Sequence, residues 1–168
     1  MYSKFGQFID GKWQPSEKNE TYEVINPATE EVIGNASKAT PADVEKALKS
    51  AEKGFVIWKK TQPWQRASII RKIADLIRKK NDVLAKWLTL EVGKPLAEGA
   101  GEVNGAADIF EWNAEETKRI YGQTVESRFE NTRVHVYYQP VGVVAALIPW
   151  NFPIILASRK ISTALAAG

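Results

Sequence analysis

The 168-residue sequence predicts an α/β fold, and three patterns support this prediction. Apolar residues recur at three-to-four spacing through the middle of the chain, as in amphipathic helices with one buried face. Short runs of β-prone residues alternate with turn residues over the first forty positions. Residues 141–148 are apolar on both alternating faces, which is typical of a parallel strand covered by helices on both sides.

The composition is that of a globular protein with one core. Hydrophobic residues make up 44% of the chain and charged residues 26%, and the net charge of +3 is too small to imply a nucleic-acid partner. The chain contains no cysteine, which excludes disulfides, thiolate metal sites and thiol nucleophiles among these residues. The first ten residues lack the apolar run of a secretory signal, and turn residues interrupt the charge-free stretch 134–158. We therefore expect a cytoplasmic protein with no membrane partner.

Two hairpins are predicted in the first forty residues. Asp10-Gly11 is a favoured type I′ turn pair, and it lies in the middle of the run 7–13. The second hairpin joins residues 22–25 to residues 31–34 through a turn at 26–29, where a proline fixes φ.

Three helices are predicted to follow. Thr40 precedes a proline and an acidic first turn, so it is the expected N-cap of a helix that runs to about residue 60. A second, longer helix is predicted over 63–93, where a glycine and then a proline end it, and a third over 95–119. The third helix contains three glycines, each of which costs about 1 kcal/mol relative to alanine in a helix interior. We expect a close backbone approach to a neighbouring element at these positions, which are Gly99, Gly101 and Gly105.

The remaining residues predict a projecting β-ribbon and a strand-turn-helix unit. The ribbon covers 123–140, the buried parallel strand covers 141–148, and the last helix covers 154–167. The chain is accordingly divided into 1–122, with strands and three helices, the ribbon 123–140, and the unit 141–168. If no further strand lies beside 141–148, its apolar surface should be exposed, and we expect self-association.

The turn between that strand and the last helix is the main candidate site, because open α/β sheets bind ligands where strands end and helices begin. Asn151 lies in this turn. Its side chain has two possible roles: it can cap the helix, or its amide can donate to a developing oxyanion. Spacing alone favours the cap. The turn does not contain the glycine-rich dinucleotide fingerprint.

Other polar residues allow further hypotheses. Arg159 interrupts the apolar last helix, where it can clamp a carboxylate or lie in solvent, and spacing does not separate these roles. A basic cluster on the second helix can follow a phosphate backbone, although a solvated face explains it more simply. Its members are Arg66, Arg71, Lys72, Arg78, Lys79 and Lys80. His135 is the single histidine, and with no cysteine present we expect no metal site.

Several motifs occur in an order that resembles the amino-terminal part of the aldehyde dehydrogenase family, most closely the succinate-semialdehyde dehydrogenase branch. Nearly the whole chain takes part in the resemblance. The matching stretches are Phe8-Ile-Asp-Gly-Lys-Trp13, Asn26-Pro-Ala-Thr-Glu30, Arg66-Ala67, Leu88-Thr-Leu-Glu91, Gly93-Lys-Pro95, Ala114-Glu-Glu116, Lys118-Arg-Ile-Tyr-Gly122, Gln139-Pro-Val-Gly-Val-Val144, Pro149-Trp-Asn-Phe-Pro153 and Ala164-Leu-Ala-Ala-Gly168.

The resemblance implies a Rossmann-like cofactor domain that binds NAD or NADP, and a ribbon that pairs with other subunits of a homo-oligomer. It implies that Asn151 stabilises an oxyanion and that Ile148, Pro149 and Trp150 line the cofactor cleft together with it. Arg159 matches the arginine that holds the substrate carboxylate in the semialdehyde branch. The implied reaction is oxidation of an aldehyde, with succinic semialdehyde as the expected substrate.

Members of this family are several times longer than 168 residues. We therefore expect this chain to be a truncated portion that lacks the nucleophilic cysteine, the general-base glutamate, the cofactor-binding lysine and the glycine-rich turn. On that basis the 168 residues alone should be inactive. The alternative is a non-catalytic structural or interaction fragment.

Overall fold

The structure is a computed structural model that describes residues 6–168. Both predicted amino-terminal hairpins are confirmed. Strands β1 (Gln7–Ile9) and β2 (Lys12–Gln14) pair antiparallel, and the intervening Asp10 and Gly11 both have positive φ, as a type I′ turn requires. Strands β3 (Thr21–Ile25) and β4 (Val32–Ser37) form the second hairpin, with a bulge near its turn.

The first predicted helix is confirmed as α1 (Pro41–Trp58). The Thr40 hydroxyl accepts from the backbone N–H of Asp43, and the Asp43 carboxylate accepts from the backbone N–H of Thr40, which completes a capping box. The two carboxylate oxygens of Asp43 also share the backbone N–H of Glu17 as a donor, so Asp43 ties the helix to the loop after β2.

The single helix predicted over 63–93 is wrong, because the chain forms two helices there, α2 (Pro63–Lys79) and α3 (Asn81–Val92). The break occurs at Lys80, where φ is −102° and ψ is 12°. The side chain of Asn81 donates to the carbonyl oxygen of Ala100 (3.1 Å) and to the side chain of Asn104 (2.8 Å). The amphipathic pattern continues through Lys80, so it does not predict this break. The hydrogen bonds from Asn81 to α4 hold the break in place. The end at Gly93 is as predicted, with a left-handed φ of 79°.

The third predicted helix is confirmed as α4 (Leu96–Glu116), which continues as a 3₁₀ turn (Thr117–Arg119). Close approaches occur at two of the three predicted glycines. A Cβ on Gly99 would lie 3.0 Å from the carbonyl oxygen of Ala85, and a Cβ on Gly105 would lie 3.0 Å from Cδ1 of Ile155. No atom comes within 4 Å at Gly101, so the expectation is wrong there.

The core lies between α2, α4 and the last helix, α5 (Pro153–Ala167). Small residues on α4 and α5 let these helices pack closely around a few large side chains. The buried cluster consists of Ile70, Ala74, Ala107, Phe110, Ala114 and Ala166. None of the helices within residues 6–168 is both long enough and apolar enough to cross a lipid bilayer.

The predicted ribbon is present as β5 (Gln123–Glu126) paired antiparallel with β6 (Arg133–Val136), and every residue of both strands is exposed. The parallel strand predicted over 141–148 is not formed. The six strands of the described residues make three separate two-stranded sheets, so this segment has no neighbour to pair with its backbone. Its apolar side chains are exposed as predicted for that case, with Val141 at 95% and Leu147 at 78%.

Candidate functional site

The turn over residues 149–152 leads directly into α5, and the residues 148–151 are all exposed. Spacing favours Asn151 as the cap of α5, and this expectation is wrong. The N-cap residue of α5 is Phe152, whose side chain makes no capping hydrogen bond. Within residues 6–168 the side-chain amide of Asn151 makes no hydrogen bond. The amide is therefore free to bind a ligand.

The N-terminus of α5 is capped instead by Glu102 of α4. Its Oε1 accepts hydrogen bonds from the backbone N–H groups of Ile154 (2.9 Å) and Ile155 (3.2 Å). Glu102 is only 5% exposed. A carboxylate in this position satisfies two unpaired helix donors and lies at the positive end of the helix dipole.

Lys94 lies beside Glu102 and touches the same turn. Its Nζ forms an ion pair with the Glu102 carboxylate, donates to the backbone carbonyl oxygen of Asn151 (3.1 Å), and lies 4.1 Å from the ring centroid of Phe152. Lys94 is 8% exposed. Sequence reasoning assigned no role to Lys94 or Glu102, although Lys94 occurs in the quoted Gly93-Lys-Pro95 motif.

Arg159 and Asn151 do not line the same groove in this structure. It is exposed on α5 and lines an open, largely apolar groove of about 870 Å³ between α1, α5 and residues 140–146. Phe55 and Trp58 form the α1 side of this groove, and residues 148–151 do not line it. The structure thus places Ile148, Pro149, Trp150 and Asn151 in one exposed stretch, while Arg159 lines the groove.

Two of the five basic residues of α2 are engaged by acidic residues of α4. Arg71 forms ion pairs with Glu111 and Glu115, and Arg78 does so with Asp108 (2.7 Å) and Glu111. These hydrogen bonds, that to Asp108 first, raise the pKa of Arg78 above its ordinary value. The two arginines are therefore not available as a free basic face.

Arg66, which the sequence places with the solvated cluster, is buried. Its guanidinium donates to the carbonyl oxygens of Thr61 (3.1 Å) and Ala166 (3.4 Å), and burial lowers its pKa. It joins the start of α2 to the end of α5. No group of three or more His, Cys, Asp or Glu side chains in residues 6–168 is arranged to hold a metal ion.

Comparisons with known proteins agree with this architecture. The model of the aldehyde dehydrogenase family matches residues 13–168. A glutarate-semialdehyde dehydrogenase of Pseudomonas aeruginosa is 42% identical over 161 residues, which are 96% of this chain and 33% of that protein. The NADP(+) succinate-semialdehyde dehydrogenase GabD of Escherichia coli is 41% identical over 160 residues, which are 95% of this chain and 33% of that protein.

The fold is likewise similar to solved structures. The crystal structure of succinate-semialdehyde dehydrogenase from Burkholderia pseudomallei superposes with a TM-score of 0.92 at 42% identity, covering 95% of this chain and 33% of that one. The chain thus spans about one third of the length of the relatives it matches. Since the family model covers nearly all of these residues, the chain belongs to the aldehyde dehydrogenase family.

Proposed function

We propose that these residues form part of an NAD(P)-dependent aldehyde dehydrogenase that oxidises a carboxylated aldehyde, with succinic semialdehyde as the preferred substrate. The observation that supports this most directly is the free, exposed amide of Asn151 on a turn whose backbone is held by buried charges. The semialdehyde dehydrogenases among the relatives support the substrate class.

Asn151 acts in this proposal by donating its side-chain N–H to the substrate oxygen as negative charge develops on it. A donor that is fixed before the reaction stabilises that charge without reorganisation, and loss of one such donor typically costs about 10²- to 10³-fold in kcat. The resemblance to the family implies a cysteine nucleophile, and because these 168 residues contain no cysteine, the proposal requires that it come from outside them.

The chain also offers a surface for the cofactor. Ile148, Pro149 and Trp150 are exposed in succession, so they present uncharged surface beside the Asn151 amide and fit one side of a nicotinamide ring. A bound nicotinamide cofactor accepts the hydride that leaves the substrate carbon. The role of this chain is to orient the ring and to exclude water from one face of it.

Arg159 is proposed to select for the substrate carboxylate. A charge-assisted, bidentate pair is worth about 1.5–3 kcal/mol, which corresponds to a factor of about 10 to 150 in selectivity. We therefore expect Arg159→Leu to lower the ratio of kcat/KM for succinic semialdehyde over butyraldehyde by about that factor. Lys72→Leu is a matched control, because it removes one exposed positive charge on α2.

The test is a chimera in which these residues replace the matching amino-terminal third of the Escherichia coli relative. We expect the chimera to form NAD(P)H with succinic semialdehyde, and Asn151→Ala to reduce kcat by about 10²-fold or more. A chimera that is folded by circular dichroism but makes no NAD(P)H, or an Asn151→Ala variant with full kcat, would contradict the proposal. An unchanged selectivity ratio in Arg159→Leu would remove only the assignment of Arg159.

A second candidate function is a non-catalytic interaction module, and the exposed apolar segment 141–148 supports it. Both candidates predict that the 168-residue chain alone forms no NAD(P)H, because the chain has no cysteine. The chimera separates them, since an interaction module would not restore turnover.

A further inference from the structure

The pair Lys94 and Glu102 is unusual because both charges are buried on a chain with ample surface. They are 8% and 5% exposed; Lys94 lies two residues before the start of α4, and Glu102 lies in the second turn of that helix. Burying an ion pair costs several kcal/mol per charge in desolvation, and the mutual attraction repays this only when further hydrogen bonds complete the site. The other hydrogen bonds that Lys94 and Glu102 make therefore identify the part of the chain that this pair anchors.

Those bonds all lead to one short segment. Lys94 donates to the carbonyl oxygen of Asn151 (3.1 Å) and lies over the ring of Phe152, while Glu102 accepts from the N–H groups of Ile154 and Ile155. The pair thus contacts the chain on both sides of the Phe152–Pro153 peptide. The cap residue of α5 supplies no side-chain bond of its own.

We propose that Lys94 and Glu102 are positioning residues, which fix the backbone of the turn so that the Asn151 side chain stays presented to a ligand. The ammonium group of the buried Lys94 donates to the Asn151 carbonyl oxygen, and the Glu102 carboxylate fixes the first turn of α5. This inference rests on the role proposed for Asn151, although the positioning itself can be measured without catalysis.

Each member of the pair requires the other. The positive charge of Lys94 alone would oppose the positive end of the α5 dipole, and the negative charge of Glu102 alone would be buried without a counter-ion. The double variant Lys94→Met/Glu102→Met removes both charges and the acceptor oxygens of Glu102 at nearly constant volume, so it leaves no unpaired buried charge. It is the variant best suited to test positioning without unfolding the chain.

The experiment uses the 168-residue chain at low micromolar concentration. Hydrogen exchange measured by mass spectrometry follows the amides of Ile154 and Ile155, and ¹⁹F spectra of 5-fluorotryptophan protein follow Trp150, assigned with Trp150→Phe. In the double variant we expect exchange at the two amides to rise about tenfold or more, and the Trp150 resonance to shift or broaden. Lys94→Arg keeps the positive charge, so it should preserve most of the wild-type behaviour.

Arg78→Met is the matched control. Arg78 lies on α2 and pairs with Asp108 and Glu111 of α4, the helix that also carries Glu102, so the variant breaks ion pairs to α4 away from the turn. It should change exchange at Ile154 and Ile155 less than twofold. Exchange within twofold of wild type in the double variant, with an unmoved Trp150 resonance, would overturn the inference. If the double variant does not fold, Glu102→Asp provides the test. This variant keeps the negative charge but shortens the side chain, so it should raise exchange at the amides of Ile154 and Ile155. Wild-type exchange at these amides would overturn the inference.

These outcomes are independent of the proposed function. The exchange and fluorine measurements contain no substrate, so their failure removes the positioning role alone. Full kcat in Asn151→Ala would instead remove the oxyanion role and leave the measured anchoring intact.

Discussion

Replacing Gly99 with alanine tests how closely α3 packs against α4, the helix that carries Glu102. A Cβ at this position would lie 3.0 Å from the carbonyl oxygen and 3.4 Å from the Cα of Ala85. Both are backbone atoms of a buried α3 residue that is 1% exposed, so neither can move aside as a side chain would. Gly101 lies on the same helix with no atom within 4 Å, which makes it a matched control.

The magnitude follows from two opposing effects. Alanine is favoured over glycine by about 1 kcal/mol in a helix interior, and this gain applies in full at Gly101. At Gly99 the same gain is opposed by overpacking, which costs about 1–3 kcal/mol. We therefore expect Gly101→Ala to be stabilised and Gly99→Ala to be about 1–3 kcal/mol less stable than that control. For a domain of this size the difference corresponds to roughly 3–10 °C in Tm.

Urea and thermal unfolding followed by circular dichroism at low protein concentration measure this difference. Gly105→Ala should fall between the other two variants, because its new Cβ would meet only the flexible end of the Ile155 side chain. Equal stability of Gly99→Ala and Gly101→Ala would refute the close packing of α3 on α4. A Gly101→Ala variant less stable than wild type would refute the estimate of the helix-propensity gain.

Two further predictions concern acid stability and association. Hydrogen bonding, first from the backbone of Thr40, lowers the pKa of Asp43 from 3.8 to about 2, so the stability it contributes is present above about pH 4 and lost as the pH falls toward 2. Asp43→Asn should be less stable at neutral pH and should lose less stability over that interval, as measured by urea unfolding at several pH values; parallel acid profiles would contradict this. The exposed segment 141–148 should make the chain self-associate at high concentration. Leu147→Lys (78% exposed) should reduce association more than Ile57→Lys (71% exposed), as measured by light scattering. A monodisperse wild-type monomer at high concentration would contradict this expectation.

Local chemistry accounts for the parts of the fold that the sequence predicts well. The turn at Asp10-Gly11 needs two positive φ values, the cap at Thr40 uses a hydroxyl and a carboxylate three residues apart, and the helix end at Gly93 needs a left-handed residue. In each case the cause and the effect lie within a few residues. The break at Lys80 differs, because the hydrogen bonds of Asn81 that hold it come from α4.

For the segment 141–148, the apolar pattern alone does not predict whether a strand forms. Its uniform apolar composition indicates that the segment belongs in a buried environment, but a strand also needs a partner for its backbone groups. No strand in residues 6–168 pairs with it, so it forms no strand and its apolar side chains are exposed. The pattern therefore predicts a preference for burial, while the strand itself depends on residues elsewhere.

Part of the candidate site could likewise be predicted from local sequence, and part of it could not. The turn with Asn151 could be found from sequence, because an apolar run followed by turn residues and a helix start is a local pattern. Lys94 and Glu102 could not be found so, since their partners lie 57 and 52 residues away and isolated charges are usually exposed. Burial of both charges beside a turn with a free amide is a feature that composition and periodicity do not predict. Desolvating two charges to hold four residues makes the turn rigid at that point, and the oxyanion role proposed for Asn151 requires such rigidity.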